Sequence, residues 1–128
     1  MTGNWRLEIG MKVVEDLEVY SIALSVAENI YKITQRFPKD ELYGLVSQMR
    51  RAAISINSNL SEGGARLTDG EKRHFVGIAR GSAAELRFQV VISEKLGFIS
   101  KSNAENLITD IDRIRRMLSG LLKYLTPK

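Results

Sequence analysis

The single histidine, His74, and the carboxylates Glu62 and Glu85 are the side chains from which an acid–base or metal site could be assembled, because imidazole and carboxylate each relay protons and ligate cations. His74 and Glu85 fall on one helical face, roughly three turns apart. A paired-carboxylate metal site inside a helical bundle normally repeats Glu-x-x-His on two helices, and no such motif occurs. There is no phosphate-binding glycine loop. The absence of cysteine removes both a thiolate nucleophile and disulfides. The residues present therefore predict no catalytic group, no metal and no cofactor, and the protein is not expected to be an enzyme.

The basic residues are the stronger signal. Arg73, Arg80 and Arg87 recur every seven residues, which lines them along one side of a helix at intervals of about 10.5 Å. Arg113, Arg116 and Lys123 make a comparable row further on, and Arg66 and Lys72 crowd the start of the first row. Rows of this kind contact several phosphates together or are simply solvated. The formal charge of the 128 residues is +4, and it is unevenly placed. Residues 1–64 carry 7 basic and 8 acidic side chains, and residues 65–128 carry 12 and 7, so the second half holds the whole excess. No aromatic stacking platform accompanies the arginines, so any RNA or DNA would be held by its backbone with little sequence preference.

Helices must position these side chains. Only Pro38 and Pro127 interrupt the chain, and the apolar residues follow a helical rather than a strand period. A first helix is predicted over Asp16 to Arg36, with Leu17, Tyr20, Leu24, Ala27 and Tyr31 at helical spacing and Phe37-Pro38 as its stop. A second runs from about Asp40 to Glu62, burying Leu42, Leu45, Val46, Met49, Ala52, Ala53, Ile56 and Leu60 and stopping at Gly63-Gly64. A third opens on a Thr68/Glu71 capping box and ends at Gly97-Phe98 in a Schellman pattern. A fourth opens on Ser102/Glu105 and carries Leu107, Ile111, Ile114, Leu118, Leu121 and Leu125 in heptad order. Short loops between four such helices predict an all-α fold, an antiparallel up-down-up-down four-helix bundle over residues 15–126, preceded by a tail at residues 1–14. No apolar run reaches bilayer length and the N-terminus lacks a secretion pattern, so a cytoplasmic location is expected.

The first helix carries apolar residues over an arc of roughly 200°, more than one core face requires. The surplus side, Ile22, Val26, Ile33 and Phe37, together with Ile54 on the second helix, predicts a self-association surface. The alternative is that the N-terminal residues Trp5, Leu7, Ile9 and Val13 fold back over it. Gln48, Arg51, Ser55, Asn59 and Glu62 follow one flank of the second helix, and Glu85 falls within the apolar arc of the third. They read as an interhelical polar network in which a buried Glu85 meets Arg51. Gly77 and Gly81, one turn apart, read as positions of close helix packing.

The residues Phe37-Pro38, Leu45, Gln48, Arg50-Arg51-Ala52, Ser55-Ile56, Asn59, Glu62-Gly63, Arg66, Phe75, Ile78-Ala79, Gly81-Ser82 and Glu85-Leu86 form a signature. It resembles that of the bacterial four-helix-bundle proteins encoded by intervening sequences of 23S ribosomal RNA genes. The likeness spans about residues 15–125, and Ser61-Glu62-Gly63-Gly64-Ala65 departs from the usual Ala-Glu-Gly followed by a bulky residue. The resemblance implies an up-down bundle that forms homo-oligomeric, pentameric rings. It extends to the accessory variability protein of diversity-generating retroelements, which binds nucleic acid and a reverse transcriptase. Two functions from different classes follow: a ring that binds nucleic acid through its outer arginines, or a protein-interaction scaffold that presents a patch around Ile54 or Val91.

Overall fold

The structure, a computed structural model, describes residues 17–127. Helices α1 (Glu18–Thr34), α2 (Ser47–Gly64), α3 (Asp69–Lys95) and α4 (Lys101–Leu125) form a four-helix bundle, and no strand occurs among the described residues. The expected tail at residues 1–14 lies outside the described residues. Side-chain contacts set the relation of neighbouring helices. Ser55 and Met49 of α2 meet Ser82 and Ser93 of α3, so partners descend one helix as they climb the other. On α3 and α4, Arg73, Arg80 and Arg87 meet Leu125, Ser119 and Asp112 in the same reversed order.

One cluster forms the core. It draws Val19, Ala23, Val26 and Ile30 from α1, Met49, Ile56 and Leu60 from α2, Val76, Leu86 and Val90 from α3, and Leu107, Ile111, Ile114 and Leu118 from α4. Each large side chain removed from water here contributes about 1.5–3 kcal/mol. The α4 heptad and the α2 stripe from Val46 to Leu60 face this core as their spacing requires.

The face of α1 is a correction. Val26 and Phe37, expected on an outer association surface, are 0% and 6% exposed and belong to the core, with Ile22 and Ile33 half-buried against it. The outward residues are instead Leu24 and Tyr31, 50% and 39% exposed. An apolar arc that is wide on both flanks gives the helical period but not which flank turns inward. Ile54, at 46% exposure, does lie on the outside.

Helix ends follow local chemistry. Glu71 N–H donates to Thr68 Oγ1 at 3.1 Å, capping α3 at the expected residue. At its other end Gly97 adopts φ +82°, Gly97 N–H donates to Glu94 O and Phe98 N–H to Ser93 O, the paired bonds of a Schellman turn. The α4 cap is Ser100, not Ser102: Asn103 N–H donates to Ser100 Oγ at 3.1 Å, two residues before the expected start.

Helix α2 starts later than its period implied. After Pro38, a 3₁₀ turn (Lys39–Glu41) and a π turn (Leu42–Val46) precede it, with Gly44 at φ −116°, ψ −105°. A π turn holds an extra residue and rotates what precedes it out of phase. Leu42 is therefore 46% exposed rather than buried, and Tyr43 stands 93% exposed beside it.

Candidate functional site

The α3 row of arginines meets α4 along one seam. The α3 arginines face α4, and each finds a partner there. Arg73 Nη1 donates to Leu125 O at 2.8 Å, Arg80 Nε to Ser119 Oγ at 2.9 Å, and Arg87 Nε to Asp112 Oδ1 at 2.8 Å. Arg80, Arg87, Asp112, Arg115, Arg116 and Ser119 line an open groove between the two helices. Four guanidiniums against one carboxylate leave it a formal +3. Asp112, Arg115, Arg116 and Ser119 share a face of α4 because they stand at steps of three and four residues.

Asp112 is the hinge of this arrangement. Its Oδ1 also accepts from Arg115 Nη1 at 3.5 Å, and Arg115 Nε is buried without an acceptor. The hydrogen bond from Arg87 holds the Asp112 carboxyl below its ordinary value; burial opposes this, and the charges of Arg87 and Arg115 add to the lowering. A carboxylate with a depressed folded value stabilises the fold at pH above its unfolded value of about 3.9 and loses that contribution as pH falls through the folded value. The stability difference between wild type and Asp112→Asn, followed by thermal melts, should therefore shrink on acidification below about pH 4. Its size should not exceed about 1 kcal/mol, since the pair is partly open to solvent. A difference that stays constant to the acid limit would contradict the assignment.

The remaining basic residues do not all join the groove. Arg113 pairs with Glu18 on the α1 side, so the expected Arg113, Arg116, Lys123 row is split between two seams. Lys123 is exposed on α4. Arg66 pairs with Glu62 at 2.6 Å and lies over the Phe75 ring at 4.8 Å. Lys72 is a correction: it is 5% exposed, with Nζ 3.4 Å from the carbonyls of Gly63 and Gly64, where it adds a donor to the C-terminal end of α2. Burial lowers its pKa, offset in part by Asp69 and Glu71.

The predicted polar network is reduced to its middle. Ser82 Oγ donates to Ser55 Oγ at 2.9 Å, and Asn59 Nδ2 donates to Ser55 O and Oγ at 2.8 and 2.9 Å. Glu85 and Arg51, expected to be a buried pair, are both exposed, as are Gln48 and Glu62. Glu85 Oε2 accepts instead from Gln89 at 3.5 Å. Leu86 and Gln89 take the inward positions of this stretch, and Glu85 stands beside them on the exposed side, where water stabilises its charge. His74 is exposed and stands edge-on to Phe75 at 5.1 Å. No group of three metal-ligating side chains occurs among the described residues.

A second surface emerges on the outer side of α3. Gly77 and Gly81 do not pack closely within the chain, contrary to their expected role: a Cβ added at either would meet nothing within 4 Å. Beside them Phe88 is 65% and Ile78 39% exposed. Across the molecule, Tyr31, Leu42, Tyr43 and Ile54 line a shallow groove between α1 and α2 with Arg50 and Arg51.

Sequence reasoning missed Arg115, Ser119 and the bridging role of Asp112. The signal was available in the shared α4 face, but a count of basic residues passes over the one acid that organises them. No described helix is long and apolar enough to cross a membrane.

These features define a small all-α bundle protein with a cationic interhelical groove. The chain belongs to the 23S rRNA-intervening sequence protein family, whose model matches residues 15–120. Its fold is similar to a crystal structure of a protein with unknown function from the S23 ribosomal protein family of Bacteroides thetaiotaomicron. The TM-score is 0.74 at 20% identity, covering 82% of this chain and 98% of that one. No curated protein matches the chain.

Proposed function

We propose that this protein binds nucleic-acid backbones without catalysis, through the α3–α4 groove, and does so as a homo-oligomeric ring. The observation that carries the reading is the convergence of Arg80, Arg87, Arg115 and Arg116 on one open groove with a single opposing carboxylate. Guanidinium forks match phosphate oxygens in a planar, two-point geometry. The groove offers no aromatic face, so recognition is of backbone rather than base. RNA is the first partner to test, because the family takes its name from an intervening sequence of 23S rRNA.

Assembly is supported by the two separate apolar surfaces, the outer face of α3 around Phe88 and the α1–α2 groove around Ile54. A closed ring buries two different faces of each copy, and mid-helix glycines let another surface approach the backbone. Repetition of the arginine groove around a ring of five, the number the resemblance implies, multiplies a weak affinity. The same apolar faces favour a second reading, a scaffold for another protein such as a reverse transcriptase. Titration of short labelled RNA and DNA duplexes across a salt series, with solution mass measured on the same sample, tests the proposal. An oligomer whose affinity falls steeply with salt, alike for all sequences, is expected. A well-formed oligomer that binds neither duplex at low salt would leave the scaffold reading.

A further inference from the structure

We propose that Asp112 is a built-in counter-ion of the arginine groove, occupying the guanidiniums that a phosphate takes and so setting the affinity of the site. The inference rests on the groove being a phosphate-binding surface. Asp112 places Oδ1 2.8 Å from Arg87 Nε and 3.5 Å from Arg115 Nη1, so one carboxylate engages two of the four guanidiniums. The other two are not opposed by charge. Arg80 donates to a neutral hydroxyl, and Arg116 has no ion-pair partner among the described residues.

The pairing is exchangeable. Asp112 is 32% exposed and its partners Arg87 and Arg115 are 39% and 37% exposed, so all three reach the groove surface. A phosphate entering between Arg80 and Arg116 meets an attractive pair and, at contact range, the repulsion of Asp112. It engages Arg87 fully only by displacing the carboxylate. Asp112 therefore lowers affinity while keeping the two guanidiniums aligned when no phosphate is present.

The experiment compares Asp112→Asn with wild type and with Asp110→Asn, binding a short labelled RNA duplex across a salt series, each protein first shown to have the same mass and fold. Asparagine keeps the shape and an acceptor for Arg87 but removes the charge. Asp110 supplies the same change in net charge from the opposite side of α4, where it lines the cleft against α1. Asp112→Asn is expected to bind roughly three- to ten-fold tighter, with a log–log salt slope steeper by about 0.9 for each contact released, and Asp110→Asn to stay near wild type. Equal or weaker binding by Asp112→Asn, with wild type binding well, overturns the inference and makes Asp112 only an organiser of the arginines. An equal gain in both variants overturns it too, because net charge alone then explains the effect. Failure of wild type to bind at low salt removes the groove reading itself, a result distinct from the other two.

Discussion

The double reversal Arg80→Glu with Arg116→Glu is expected to weaken binding to every duplex by at least about a hundred-fold at low salt, and to lower the salt slope by about two contacts' worth. These two arginines are chosen for what they do not hold. Among the described residues Arg80 bonds to the Ser119 hydroxyl and Arg116 pairs with no acid, so their reversal gives up one exposed interhelical hydrogen bond and strands no charge. Arg87 is a poorer choice, because its loss also strands Asp112. Each reversal removes one attraction and adds one repulsion inside the groove, and in the proposed ring the loss repeats at every copy. Fluorescence anisotropy measures the change, with thermal melts to confirm folding. An affinity within a factor of a few of wild type would move the binding surface elsewhere or remove it. Loss confined to one sequence would contradict backbone recognition.

The proposed self-association offers the second large effect. Ile54→Asp and Phe88→Asp should each reduce the assembly to monomers, since each places a charge on one of the two apolar faces. Neither side chain supports the core, so the monomers should remain folded. Mixing the variants gives a sharper outcome. If the Ile54 groove of one copy receives the Phe88 face of the next, an Ile54→Asp chain still carries an intact Phe88 face and a Phe88→Asp chain an intact groove. Equimolar mixtures should then form one-to-one dimers and nothing larger, as read by light scattering. Assembly of either variant alone into the wild-type species would exclude that face from the contact.

The readability of this chain divides along a physical line. Most features fixed by local chemistry were legible: the Thr68 cap, the glycine-ended turn at Gly97, and the heptad of α4 each depend on residues a few positions apart, although the α4 cap fell on Ser100 where Ser102 offered the same chemistry. Features fixed by orientation between helices were not. The period of α1 is the same whether Val26 or Leu24 turns inward, and only its neighbours decide. Glu85 falls within the apolar arc of its helix and was expected to be buried, yet its charge stands in water and Gln89, one turn on, lies inside. The α3 row of arginines was visible as a row, whereas its destination against α4, and the acid waiting there, required the register of two helices. The π turn at Leu42–Val46 has no recognisable residue pattern beyond Gly44, so the phase slip it causes could not be read in advance.

The hairpin of α3 and α4 is closed at both ends, by the glycine turn at Gly97 and by the Arg73 hydrogen bond to Leu125. Its contacts begin only a few residues apart in sequence and zip outward from the turn, so the chain entropy lost at each step is small. Helix α1, at 17 residues the shortest of the four, has no such companion close in sequence on its α4 side. The α1–α4 seam, where Glu18 meets Arg113 across 95 residues of chain, therefore carries a larger loop-closure cost than any contact inside the α3–α4 hairpin.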